Sequence, residues 1–132
     1  MFIDSSAVVA ILAREAEAGE FSAKIAAASR PISAGHVLLE SSMRLAAMLG
    51  VEPQAAKDAI LEMFAEGAIE IVPIDRASAE IAVAAFARFG KGRGGKAQLN
   101  FGDCLSYACA RQHDAALLFK GEDFVATDAR AA

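Results

Sequence analysis

Met1-Phe2-Ile3-Asp4-Ser5-Ser6-Ala7-Val8-Val9-Ala10-Ile11-Leu12 is the stretch whose reading decides the fold class. Its first three residues are a short apolar run that stops at an acid, as a buried parallel strand reads. Val8, Val9, Ile11 and Leu12 follow at helical spacing, so Ser5 or Ser6 is placed to cap a helix. Strand passes directly to helix, and the rest of the chain continues the alternation. Glu17 to Ala28 predicts a second helix, with Phe21 and Ile25 four apart, ending near Pro31 because a residue before proline avoids the helical region. Pro31 to Ala34 is a short strand. From His36 to Leu49, the residues Val37, Leu38, Glu40, Ser41, Arg44, Leu45 and Met48 fall on a 3.6-residue period that closes at Gly50. Pro53 to Glu66 repeats the pattern, with proline at the start and Gly67 past the end.

Ile69 to Ile74 has the β-branched enrichment of a strand, and Pro73 confines its far end to an edge or an exit. Asp75 caps a helix from Ala77 to Phe89, a Gly/Lys/Arg loop follows, and Gly102 and Asp103 open a helix running through Arg111. Ala115 to Phe119 is a fourth strand, and the tail from Gly121 reads as loop with room for one last short strand. Alternation without hairpin signals predicts an α/β sandwich around a mostly parallel sheet.

A chain of 132 residues fits one domain, so 1–132 is read as a single unit. With 55% apolar and 23% charged residues the composition is globular and excludes a disordered chain. No apolar run approaches the roughly 20 residues that cross a bilayer. The start also lacks the basic flank and apolar stretch of a signal peptide, so the expectation is a soluble cytoplasmic protein with no membrane association. Cys104 and Cys109 lie five apart without further partners, too few for a disulfide framework or a thiolate zinc site, and read as buried thiols. The net charge of −4 argues against adhesion to nucleic acid over the whole surface. A local patch is another matter: Arg88, Lys91, Arg93 and Lys96 are interleaved with Gly90, Gly92, Gly94 and Gly95 and with no acid.

In an open parallel sheet, ligands bind beyond the carboxyl ends of the strands. Asp4 sits immediately after the first strand, Asp123 a few residues after the fourth, and Asp103 at a helix start where the dipole stabilises a carboxylate and capping is the rival role. Glu40 falls near the apolar stripe of its helix, where an acid is costly without a partner. Gathered together, these four would repel one another until a divalent cation intervened, and their hard oxygens suit Mg²⁺ or Mn²⁺ rather than zinc. Phosphodiester hydrolysis is the chemistry such a centre supports. Ser5, Ser6 and Asn100 are placed to contact a phosphate or a water, and Lys91, Arg93 and Lys96 to track a phosphate backbone.

Met-x-Ile-Asp4-Ser5-Ser6-Ala, Leu38-Leu39-Glu40-Ser41, Leu99-Asn100-Phe101-Gly102-Asp103-Cys104-Leu105-Ser106-Tyr107-Ala108 and Leu118-Phe119-Lys120-Gly121-Glu122-Asp123-Phe124, ending in Thr127-Asp128, resemble the PIN domain and, more narrowly, the VapC toxins of bacterial toxin-antitoxin modules. The resemblance spans the chain almost end to end. It implies a three-layer α/β/α sandwich and a Mg²⁺- or Mn²⁺-dependent endoribonuclease acting on structured RNA such as tRNA or ribosomal RNA. It also implies Asp4, Glu40, Asp103 and Asp123 as catalytic metal ligands, with Asp128 competing for the fourth place. A VapB-type antitoxin that brings an Arg or Lys into the acidic pocket, and a toxin homodimer, are further implications. The tail Ala129-Arg130-Ala131-Ala132 lacks the apolar finish of a last strand.

Blander roles compete. His36 and His113 read as residues flanking helices, and Cys104 and Cys109 as packing residues. Phe101, Phe119 and Phe124 read as core aromatics rather than base-stacking platforms, and Glu15, Glu17, Glu62 and Glu66 as solvated helix faces; for the basic loop a mere solvated connection is the lesser reading beside phosphate contact. Two alternative functions remain: a metal-dependent phosphohydrolase of small substrates, against which Ser6 stands where a second acid is wanted, and a catalytically silent module that holds a basic partner segment.

Overall fold

The computed structural model describes residues 1–132. Its elements run β1 (Phe2–Ile3), α1 (Ser5–Leu12), α2 (Ala18–Ala27), β2 (Ile32–Ala34), α3 (Gly35–Leu49), α4 (Pro53–Glu66), β3 (Glu70–Val72), α5 (Arg76–Phe89), α6 (Phe101–Gln112) and β4 (Leu117–Leu118). All strands pair in parallel, in the order β3-β2-β1-β4. Side chains alternate between the faces of a strand, yet every residue of β1, β2 and β4 is buried, so both faces of the sheet are covered. That is the three-layer α/β/α sandwich. α3 packs on α4 and α1, while α5 packs on α6 and α6 reaches β1, β2 and β4. Phe2, Ile3, Ile32, Val37, Leu45, Ile60, Leu99, Leu117 and Leu118 form the driest part of the core. Each such side chain contributes roughly 1.5–3 kcal/mol by leaving water, which is how strands of two and three residues hold a sheet.

The ends of the elements follow local chemistry. Gly50 closes α3 in the left-handed conformation (φ 65°), where a side chain is strained. Pro53 opens α4, and Asp75 caps α5 by accepting from the Ser78 amide. Pro73 follows β3, whose Glu70 and Ile71 are exposed at the edge of the sheet. Most ends shift by one or two residues from the sequence reading, and two caps differ from it. The cap of α1 is Asp4 rather than Ser5 or Ser6: leaving β1 in an extended conformation, its carboxylate reaches the Ser6 amide. The cap of α6 is Asn100, with Asp103 as its reciprocal partner. The tail forms a single parallel bridge between Leu117 and Ala131, not a strand, in keeping with its lack of apolar residues. No helix is long and apolar enough to cross a membrane.

Candidate active site

The chain steps outward from β1 to β2 to β3 and then returns to place β4 on the other side of β1. Neighbouring connections therefore leave β1 in opposite directions, and a crevice opens at its carboxyl end. Asp4 occupies that point, 4% exposed, with its amide bonded to the Leu118 carbonyl of β4 (3.0 Å). Its Oδ2 accepts from the Ser6 amide (2.9 Å) and the Ser6 hydroxyl (2.6 Å), and its Oδ1 accepts from the Ser106 hydroxyl (2.7 Å). Ser6 in turn accepts from the Lys120 amide (3.0 Å), which ties the segment after β4 to the start of α1.

Asp103 lies in the first turn of α6, which runs back toward the start of β4, so its N-terminus stands at the same carboxyl edge. Asn100 accepts from the Asp103 amide, and Asp103 Oδ2 accepts from the Asn100 amide, both at 2.9 Å. This is a capping box. It uses one carboxylate oxygen and leaves Oδ1 without a protein donor, so capping and metal binding are compatible in one side chain rather than rivals. Glu40, on α3, leans against the same turn: a Cβ at Gly102 would stand 2.5 Å from its Oε2. A bare residue at 102 is what lets that carboxylate approach. Asp123 is exposed, beyond β4.

Electrostatics joins the four. Burial raises the Asp103 pKa to about 6, the bond from the Asn100 amide opposes the rise, and the negative charges of Asp4, Asp123 and Glu40 add to it. Asp4, Glu40 and Asp123 are thus near enough to Asp103 for their negative charges to act on it. No three of them already stand in metal-holding geometry. Mg²⁺ and Mn²⁺ do not require a finished cage, since Mg²⁺ characteristically takes one or two carboxylates and keeps several waters. The donor set consists of hard oxygens, Asp103 Oδ1 has no protein donor, and the bare Gly102 leaves room for Glu40, so the chemistry of these residues fits such an ion.

Other expected site residues are placed differently. Ser5 is buried at the start of α1, while the Asn100 side chain is occupied in capping α6. Lys91, Arg93 and Lys96 are exposed on a loop whose base is closed by a bridge between Gly90 and Leu99. Arg93 lies over the Phe86 ring (5.9 Å), and no ion pair links the three cations to the acids. Asp128 accepts from the Tyr107 hydroxyl (2.6 Å) and pairs with Arg88 (3.3 Å). That phenol, followed by the Arg88 and Arg111 charges, holds its carboxyl below the usual range, so Asp128 is engaged elsewhere.

Among the blander readings, those of Phe101, Glu15, Glu17 and His36 are corrected, while those of Phe124 and the two cysteines stand. Phe101 is 83% exposed because the first residue of α6 points away from the core, whereas Phe124 is buried edge-on against Phe119 (5.1 Å). Glu15 and Glu17 are not on helix faces: they flank Lys120, which bonds to both and whose pKa they raise. His36 lies inside the first turn of α3, half-buried and bonded to Ser106. Burial lowers its pKa, against the pull of the Asp4 charge. Both cysteines are buried thiols, with pKa values raised first by burial. Ser106, Gly102 and Lys120 were the site neighbours that sequence reasoning passed over. The signals for Ser106 were its place in the Leu99 to Ala108 stretch and its position one helical turn after Asp103.

Residues 1–130 match the PIN domain profile. The VapC ribonuclease Mb0640 of Mycobacterium bovis is 38% identical over 128 residues, covering 97% of this chain and 95% of that protein. Ribonuclease VapC of Mycolicibacterium smegmatis is 37% identical over 132 residues, covering 99% and 98%. Among solved structures, VapC20 of Mycobacterium tuberculosis, described as a Sarcin-Ricin loop cleaving toxin, superposes with a TM-score of 0.76 at 19% identity, over 99% of this chain and 97% of that one. At that identity the likeness concerns the fold.

Proposed function

Because this chain belongs to the PIN domain family, and within it to the VapC ribonucleases, we propose that it is a Mg²⁺- or Mn²⁺-dependent endoribonuclease toxin that hydrolyses phosphodiester bonds of structured RNA. The observation that supports this reading is that burial, with the charges of Asp4, Asp123 and Glu40 adding to it, raises the Asp103 pKa to about 6, so that a cation among these acids would relieve them. A bound dication would supply Lewis acidity toward a phosphoryl oxygen and the attacking water. The protein's part is positional. Ser6 and Ser106 fix both oxygens of Asp4, the capping box fixes Asp103, and bare Gly102 admits Glu40.

Lys91, Arg93 and Lys96 would follow the phosphate backbone on a loop rich in glycine, where contact with phosphate needs charge more than base-specific geometry. The substrate class we propose is a folded RNA, tRNA or ribosomal RNA. The same acids would receive an Arg or Lys from a VapB-type antitoxin, a charge-assisted pairing that competes with metal and RNA. An apolar groove lined by Ala82, Val83, Phe86, Phe101 and Leu105 is the surface on which a second copy would dock.

The test is cleavage of labelled RNA in Mg²⁺ or Mn²⁺, with and without EDTA, by wild type, Asp4→Asn and Asp103→Asn. The expected result is EDTA-sensitive cleavage that both substitutions remove. Cleavage untouched by either substitution refutes the assignment.

A further inference from the structure

We propose that His36 and Ser106 are positioning residues for Asp4: a directed hydrogen-bond chain runs from His36 Nε2–H to the Ser106 hydroxyl and from that hydroxyl to Asp4 Oδ1. The inference rests on the nuclease reading for its purpose, though its geometry stands independently. Ser106 Oγ lies 2.7 Å from Asp4 Oδ1 and 2.9 Å from His36 Nε2. A hydroxyl has one proton, and an ionised carboxylate can only accept. The Ser106 proton therefore points to Asp4, its lone pair faces the imidazole, and Nε2 must be the donor. The other ring nitrogen, Nδ1, is buried with no partner. A proton there would be a buried donor without an acceptor, so the ring is held in the Nε2–H form.

The placement of the pair shows what the chain is for. The His36 ring stacks on Phe2 of β1 (centroids 6.3 Å apart, planes at 14°), two residues before Asp4. Along α3 it precedes Glu40 by one turn, and along α6 Ser106 follows Asp103 by one turn. One hydrogen-bonded path therefore connects the strand and the two helices that carry three of the four acids. An apolar ring at 36 would pack on Phe2 without leaving a buried nitrogen unpaired. What histidine adds is the Nε2–H donor. Partners that orient a metal ligand in this way typically govern affinity by 10–100-fold.

Two measurements test the proposal on the full-length protein. In ¹⁵N NMR of the metal-free wild type, His36 should show a protonated Nε2 and a bare Nδ1; the opposite tautomer overturns the chain whatever the metal does. In calorimetric titration with Mn²⁺, Ser106→Ala and His36→Leu should weaken binding by roughly 10–100-fold. Ser106→Thr and His36→Gln, which restore a hydroxyl and a donor at the Nε2 position, should recover most of it, with circular dichroism showing all four variants folded. Equal losses in the Leu and Gln variants overturn the donor role. Wild-type affinity in Ser106→Ala and His36→Leu overturns the positioning role, and if Asp4→Asn still abolishes binding the nuclease reading survives. A wild type that binds no Mn²⁺ overturns both.

Discussion

Asp4 and Asp103 at the carboxyl edge of the sheet are buried and held by donors of their own chain, whereas Lys91, Arg93 and Lys96 on the 90–99 loop are exposed and have no carboxylate partner. Both regions are charged, but only one fixes where its charge sits. Bond cleavage needs atoms at set positions; capture of a polyanion needs only sign and reach. The division makes a two-sided prediction. Asp4→Asn should lower kcat on the order of 10³-fold, the rate equivalent of several kcal/mol of lost stabilisation, with RNA affinity little changed. Replacing Lys91, Arg93 and Lys96 together with alanine should leave kcat in place, weaken RNA binding, and reduce the slope of log K against log salt by about 2. Filter binding across a salt series, beside single-turnover cleavage, separates the two. A loop variant that lost kcat as steeply as Asp4→Asn would erase the distinction.

The acid edge has a cost that the loop does not. Asp103 has a folded pKa of about 6 against an ordinary 3.8, so the folded protein holds this proton more tightly than the unfolded chain. Its contribution to stability is fully present below 3.8 and is lost as pH rises through about 6. The gap corresponds to roughly 3 kcal/mol. His36 works in the opposite sense: its lowered pKa gives stability above its unfolded value, lost as pH falls. The difference between wild type and Asp103→Asn isolates the aspartate, and asparagine can still accept from the Asn100 amide. In EDTA, urea unfolding at pH 7.5 should find Asp103→Asn the more stable protein, with the advantage shrinking toward pH 5. An unchanged or reduced stability at pH 7.5 would show that the negative charge is not under strain there.

How far these regions were readable from sequence differs for a physical reason. The order of strands and helices, the stop at Gly50, the start at Pro53 and the cap at Asp75 are short-range features, set by neighbours within about one turn. The placement of Asp4 and Asp103 at the carboxyl edge was legible because each sits at an element boundary, where parallel-sheet topology dictates which end faces the crevice. Periodicity assigns a residue to a face of its own helix and says nothing about what meets that face. His36 and Ser106 are 70 residues apart, and Glu15 and Glu17 lie over 100 from Lys120, so those contacts belong to packing alone. Phe101 was misread on the same account: an aromatic at a helix start is apolar in sequence, yet the first turn of α6 turns it to solvent.

The smallest effect concerns which acid completes the hollow. Asp123 adds to the negative field on Asp103, whereas Asp128 is bound to Tyr107 and Arg88. Asp123→Asn should therefore reduce cleavage, while Asp128→Asn should leave kcat unchanged and cost stability instead. The Arg88–Asp128 pair is substantially exposed, so solvent screening limits that cost to about 1 kcal/mol. Its pH dependence has a definite sign. The Asp128 pKa is lowered, chiefly by the Tyr107 hydroxyl, so its contribution is present above the unfolded aspartate value and disappears as pH falls through the folded one. Wild type and Asp128→Asn should differ in melting temperature at pH 7 and converge in acid. If Asp128→Asn instead abolished cleavage at full stability, Asp128 would have to leave Tyr107 and Arg88 to join the acids when RNA binds, and the boundary between fixed and free charge would lie elsewhere.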